Sequence, residues 1–370
     1  MFNLQELKRR EAKIASVYSR GEPASAVVSF APFFFNLLYP YKESFLDFEK
    51  MERECRNIID IMFRAKSDNP PFIHTFCSIG MVAEAFGCAI EMPDDQFPWT
   101  HQAISDINHV YSLKPKEVLS LSYYGQQRKW VDYAQRKIGA DLAFWSLDIQ
   151  SPFSVAAQIA GMEELLRACY DDPAAVHCLL RMVTDVTIEL HDDHIRQMEH
   201  PGYPGRNFPT ISDNIGLCMS DDTPLIMLSG DMYREFALPY ANMVSEHFGG
   251  VHLHSCGSYM RNMDAALEIK GIRSVQFHAG PGEFALPEEP CENAFTRAME
   301  SVAMHIDTNQ ISRADQWADH TLSFYEEYLV PRLKCNTPKW LMLEAPAPDG
   351  NIDEYPRYSA LTSHYLSELG

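Results

Sequence analysis

Short apolar runs, each followed by a helical pattern, recur along nearly all 370 residues of the chain. No single motif constrains the fold as tightly. The strand-like runs fall at 26–31, 71–76, 142–149, within 210–219, and at 250–256, 273–278, 302–307 and 340–344. Helical periodicity covers 2–18, 44–65, 81–86, 124–138, 156–169, 174–197, 232–247, 259–269, 293–300, 314–333 and 356–369. Strands that alternate with helices in this way predict βαβ units and a parallel sheet. A count near eight, with no linker between units, predicts a closed (β/α)8 TIM barrel as one domain over 21–370, carrying an N-terminal helical extension over 1–20. Residues 91–109, punctuated by Pro and Asp, read as loop.

The charge balance narrows the partners. Fifty-one acidic against 31 basic residues give a net charge of -20, which argues against a nucleic-acid backbone or an anionic membrane surface. The longest apolar stretch, 27–39, is too short to span a bilayer and is interrupted by Pro32 and Asn36. The N-terminus lacks the apolar core of a signal peptide. Nine cysteines without a C-x-x-C pair suit a reducing compartment, so a cytoplasmic protein is expected.

Within this frame His254-Ser255-Cys256-Gly257 stands at the end of the run Val251-His252-Leu253. Alternate residues of a strand share a face, so His254 and Cys256 project together. Imidazole and thiolate at that spacing can form two corners of a tetrahedral zinc site. An isolated H-x-C is more often a buried histidine and a small buried thiol. Its place at the C-terminal end of a barrel strand, where TIM-barrel active sites lie, favours the ligand reading. His252, one repeat deeper, reads as a core or supporting residue. Gly257 ends the strand.

Other polar groups also close strands. Asp221 and Asp222 follow Cys218-Met219, and Asp222 is expected to line the site, although Ser-Asp-Asp is equally a helix cap. His278 ends the run Val275-Gln276-Phe277 and is a further candidate. His305-x-Asp307 is left open between core and site. Gln158, Tyr233 and Tyr240 read as packing residues. Phe30, Phe33, Phe34, Phe35 and Tyr39 could floor an apolar pocket or serve as core.

The chain resembles the uroporphyrinogen decarboxylase superfamily over roughly 20–370. The matching stretches are Ser151-Pro152-Phe153-Ser154-Val155-Ala156-Ala157, Tyr170-Asp171-Asp172-Pro173, Ser220-Asp221-Asp222, Leu228-Ser229 with Tyr233, Phe236, Pro239 and Tyr240, and Glu84-Ala85-Phe86-Gly87-Cys88. His254-Ser255-Cys256-Gly257 is similar to the H-x-C-G of its zinc-dependent methylcobamide:thiol methyltransferases. The resemblance implies a TIM barrel and a zinc ion on His254 and Cys256. It also implies a methyl-corrinoid brought by a separate corrinoid-binding protein, a small-molecule methyl donor or thiol acceptor, and often a homodimer. Two features depart from true uroporphyrinogen decarboxylases. Their arginine-rich N-terminal motif has no counterpart near 20–32, and Cys77 or Ser78 stands where they carry an aspartate.

The resemblance implies a third ligand, a cysteine near the chain end. Cys335 precedes the last strand, so five or more extended residues set it ~15 Å from the C-terminal rim. Glu344 ends that strand instead, and carboxylate is an acceptable zinc ligand. The expected metal set is therefore His254, Cys256 and Glu344, with Asp222 and His278 in acid–base roles. Two other readings are a metal-free decarboxylase of a non-porphyrinogen substrate and a non-catalytic corrinoid- or ligand-binding barrel.

Overall fold

A computed structural model describes residues 3–18, 25–29, 38–64, 68, 70–94, 97–145, 147, 149–198, 216–255, 257, 260–278, 294–307, 324–335, 340–344, 360, 363–364 and 367. The chain starts with α1 (Leu4–Tyr18), β1 (Ser25–Ser29), α2 (Tyr41–Leu46) and α3 (Phe48–Arg64). The single helix expected over 44–65 is thus two, parted at Asp47, whose backbone is extended (φ -129°, ψ 102°). On α3 the buried residues Met51, Cys55, Ile58, Ile59 and Met62 recur at helical spacing and face the core.

Next come α4 (Met81–Ala85), β2 (Ala89–Glu91), β3 (Trp99–His101) and α5 (Ser122–Lys137). The expected loop over 91–109 holds an antiparallel pair, β2 with β3, and a 3₁₀ turn over Ile107–Ser112. Pro and Asp concealed this hairpin, because strands of three residues leave almost no alternation to read.

The sequence continues through β4 (Ile149–Gln150), α6 (Pro152–Ala160), α7 (Met162–Asp171) and α8 (Pro173–Gln197). Ser151 and Asp172 cap α6 and α8, their side chains accepting Ser154 N–H at 3.3 Å and Ala175 N–H at 3.1 Å, with proline at the first helical position of each. The expected helix over 156–169 breaks at Gly161, where φ is 82°.

The second half holds β5 (Leu217–Ser220), α9 (Asp222–Met227), α10 (Gly230–Phe236), α11 (Leu238–Phe248), β6 (Val251–His254), α12 (Met263–Leu267), β7 (Ile272–His278), α13 (Ala294–Ser301), β8 (Ala303–Asp307), α14 (Val330–Cys335) and β9 (Trp340–Glu344). The helix expected over 232–247 is divided at Ala237, ahead of Pro239 in the first turn of α11. Most of 356–369, the cluster 30–35 and 210–215 lie outside the described residues.

Seven strands form one parallel sheet in the order β1-β9-β8-β7-β6-β5-β4. A parallel bridge between Ile73 and Phe144 continues it, with Ile73 N–H on Ala143 O and Trp145 N–H on Ile73 O, both at 2.8 Å. The strands expected at 71–76 and 142–149 are reduced to this bridge and to β4. Among the described residues the sheet is not closed into the expected barrel. On the opposite edge of 71–76, Phe76 N–H donates to Gln127 Oε1 at 2.8 Å and His74 O accepts from Trp130 Nε1 at 2.7 Å. Both partners stand on α5, so side chains of that helix take up backbone groups on this edge.

Along the sheet Val251, Leu253, Val275, Met304, Ile306 and Leu341 are buried on one face, as helix-covered parallel strands require. His252, His254, Ser274 and Gln276 occupy the other, also buried. Gly216, Gly250 and Gly271 precede β5, β6 and β7, all with positive φ (100°, 143° and 71°). A Cβ on Gly216 would lie 2.2 Å from the Gly250 carbonyl carbon, so at these strand starts only glycine fits. No described helix is long and apolar enough to cross a membrane.

Candidate functional site

The site is built where β5 and β6 end. Ser220 pairs with His254 across the two strands, and Asp221 N–H continues the ladder onto His254 O at 2.9 Å. His254 is fully buried, and its Nδ1 is hydrogen-bonded to Gln276 Oε1 on β7. A carbonyl oxygen accepts, so this contact places the proton on Nδ1. That is the tautomer of a metal-ligating histidine oriented by a neighbouring group. His252, one pleat deeper, is held through Nδ1 by Ser274 Oγ at 2.6 Å, in the core position expected of it. Gln276 was not singled out from sequence. Its signal was alternation, since it stands two residues beyond Ser274 on the face that carries both histidines.

Cys256 lies outside the described residues, and Gly257 follows it. A Cβ on Gly257 would sit 2.2 Å from Ile226 Cδ1, so α9 packs its Ile226 side chain against the fourth residue of H-x-C-G. Arg261 and Asn262 fasten α9 from beyond the motif. Arg261 donates to Ile226 O and Leu228 O at 2.8 and 3.2 Å, and Asn262 Nδ2 donates to Leu225 O and Leu228 O at 2.7 and 2.8 Å. Asp222, the first residue of α9, is therefore half-buried at a fixed place on the rim, two residues beyond Ser220.

Asp221, rather than Asp222, is the fully buried carboxyl. Its Oδ2 accepts from Tyr233 Oη on α10 at 2.6 Å, which gives Tyr233 a polar role besides packing. Burial pushes the Asp221 carboxyl up to about 6. The Asp222 charge adds to this, while the Ser151 and Tyr233 hydroxyls oppose it. Tyr240 likewise bonds His177 Nδ1 at 2.9 Å.

Glu344 and His278 end β9 and β7, as expected. The register pairs His278 with Asp307 and Asp307 with Glu344, one pleat beyond the pairing of Gln276 with His305. Cys335 ends α14, before β9 begins. Among the described residues no group of three His, Cys, Asp or Glu side chains is arranged to hold a metal.

On the first side of the sheet, Cys77 follows the segment 71–76. Its N–H donates to Tyr41 Oη at 2.8 Å, and its carbonyl accepts from the Tyr123 hydroxyl. Glu84 of the Glu84–Cys88 stretch accepts from Ser122 N–H at 3.0 Å and from its hydroxyl at 2.7 Å. That carboxylate caps α5 and has a structural task.

With this geometry in view, comparisons with known proteins become informative. The family Uroporphyrinogen decarboxylase (URO-D) matches residues 64–198. That span is about a third of the chain and ends before β5. A methyltransferase from Methanosarcina mazei has a similar structure over 98% of this chain and 99% of its own, with a TM-score of 0.69 and 14% sequence identity. The shared fold therefore runs the whole length of the chain. A candidate vitamin-B12 independent methionine synthase from Listeria monocytogenes is a looser likeness (TM-score 0.46, 10% identity, covering 94% of this chain and 98% of that one). No curated protein matches the chain in sequence.

Proposed function

We propose that the chain is a cytoplasmic, zinc-dependent methyltransferase of the uroporphyrinogen decarboxylase superfamily, on a (β/α)8-type scaffold. In this reading it moves a methyl group between a corrinoid carried by a partner protein and a small thiol or methylated substrate. The observation that carries the reading is the His254–Gln276 pair, a fully buried imidazole at the end of β6 whose Nδ1 is tied to a neighbouring side chain. The fold shared with the M. mazei methyltransferase supports it.

The donors suit zinc: a neutral imidazole from His254, a thiolate from Cys256, and a carboxylate from Glu344 at the end of β9. Bound there, zinc supplies Lewis acidity that lowers the pKa of a thiol or polarises the heteroatom of a methyl donor. The chain's own groups do the rest. Gln276 fixes the plane of the His254 ring, and burial at the end of β6 keeps bulk water from that ring. Asp222 and His278 take or return a proton at a carboxylate oxygen and an imidazole nitrogen.

The test is metal analysis of protein purified without chelator. About one zinc per chain is expected, lost in His254→Ala and retained in Cys335→Ala. Zinc-free wild-type protein would end the proposal.

A further inference from the structure

We propose that the cavity between the turn at 78–82, the end of β4 and α8 receives the tail of the substrate, and that this tail is short, uncharged and carries one hydrogen-bonding group. The inference deepens the methyltransferase reading and rests on it for the metal-bound end of the same molecule.

Ser78, Met81 and Val82 from the turn and α4, Gln150 from β4, and Leu190 and His191 from α8 line about 260 Å³ of unfilled space, part of it open to solvent. Drug-sized sites run from roughly 300 to 1,000 Å³, so only a small group fits. The cavity lies on the face that carries His254. Gln150 pairs with Ser220, and Ser220 with His254, across β4, β5 and β6. Register partners in a parallel sheet share a face. Strands run about 4.8 Å apart, which sets the Gln150 and His254 backbones about 10 Å from each other. That separation is within the span of one small molecule with its heteroatom at His254.

The lining decides the chemistry. Ser78 is buried (7% exposed), and its carbonyl accepts from Met81 N–H at 3.0 Å. Its hydroxyl has no hydrogen-bond partner among the described residues. A buried hydroxyl left so is costly until a ligand or water completes it. Among the described residues lining the cavity there is no Lys, Arg, Asp or Glu. His191 is the titratable side chain among them; burial, with His194 nearby, holds its pKa well below the ordinary imidazole value, so the ring is neutral. A carboxylate or ammonium tail would enter without a counter-charge. An alcohol or amide meets the Ser78 hydroxyl and apolar walls instead.

The experiment is calorimetric titration of full-length, zinc-loaded protein with three thiols of similar size. Mercaptoethanol, mercaptoacetate and cysteamine end in a hydroxyl, a carboxylate and an ammonium. The chain's net charge of -20 would by itself rank the cation first, so the order of affinity separates the cavity from the overall field. Mercaptoethanol should bind at least tenfold tighter than either of the others. Ser78→Ala, its fold checked by circular dichroism, should lose most of that preference while its zinc content stays at the wild-type level. If wild type binds all three thiols within twofold, or cysteamine tightest, the cavity is not the tail site and the zinc reading stands. A preference that persists unchanged in folded Ser78→Ala also overturns the assignment. Protein that takes up no zinc and binds none of the thiols ends the proposed function and this inference with it. Should Ser78→Ala be unfolded, the wild-type order decides alone.

Discussion

His74 offers a test of the core that depends on arithmetic more than on any assumption about function. Its ring is buried and stacked on Trp145, with centroids 5.2 Å apart and planes 17° apart. Burial lowers its pKa from 6.5 to about 3. The folded chain then keeps His74 neutral while the unfolded chain protonates it below 6.5. Stability is fully present above that value and is lost as pH falls towards 3. At about pH 5 the unfolded state has gained 1.5 pH units of protonation, at about 1.36 kcal/mol each, or about 2 kcal/mol. The figure would be nearly the same were the folded value a unit higher. His191 and His194 are also lowered by burial, and three such losses approach the whole stability of an ordinary domain, about 5–15 kcal/mol. His74→Phe keeps the ring stack and removes the titration. Overpacking should cost it roughly 1–3 kcal/mol at about pH 7.5. Between about pH 7.5 and 5 it should lose about 2 kcal/mol less than wild type, read from urea unfolding at both values. Parallel losses within ~0.5 kcal/mol would refute the burial argument.

Asp221 should behave with the opposite sign. Its raised carboxyl makes the folded state weaker as pH climbs through about 6, so Asp221→Asn should gain on wild type by up to about 3 kcal/mol between about pH 4 and 7.5, checked by the same unfolding curves. Tyr233→Phe removes the hydroxyl at 2.6 Å and should cost about 1–3 kcal/mol at neutral pH and less at about pH 4, where the carboxyl is protonated; equal costs would count against the pair. Gly216→Ala places a Cβ against the Gly250 backbone and should cost more than about 2 kcal/mol, whereas Gly87→Ala, with φ 94° but nothing within 4 Å, should cost only about 1 kcal/mol, both read from thermal melting. Gln276→Leu should lower zinc affinity about 10–100-fold with the fold intact; unchanged affinity would remove its orienting role.

The order of elements was legible because each buried parallel strand is an unbroken aliphatic face in sequence, as Val251-x-Leu253 and Met304-x-Ile306 show. Helix ends were less so. Gly161 and Pro239 split helices that periodicity alone had run together, since one glycine or proline in a periodic stretch does not say whether the chain bends or continues. The rim was partly visible. His254 could be found from alternation, but Asp221 could not be told from Asp222, because the choice depends on the Tyr233 hydroxyl arriving from a later helix. Closure of the sheet was inferred from a count of strands, and a count carries no information on which groups satisfy an edge.

That edge has a consequence for how the chain avoids its own copies. An unpaired strand offers a template of N–H and C=O groups on which a second molecule can grow a β-ladder. On the segment 71–76 the amide of Phe76 and the carbonyl of His74 are already spent on α5, through contacts 51 and 56 residues apart in sequence. Trp130 and Gln127 therefore act as a built-in stopper against intermolecular sheet growth.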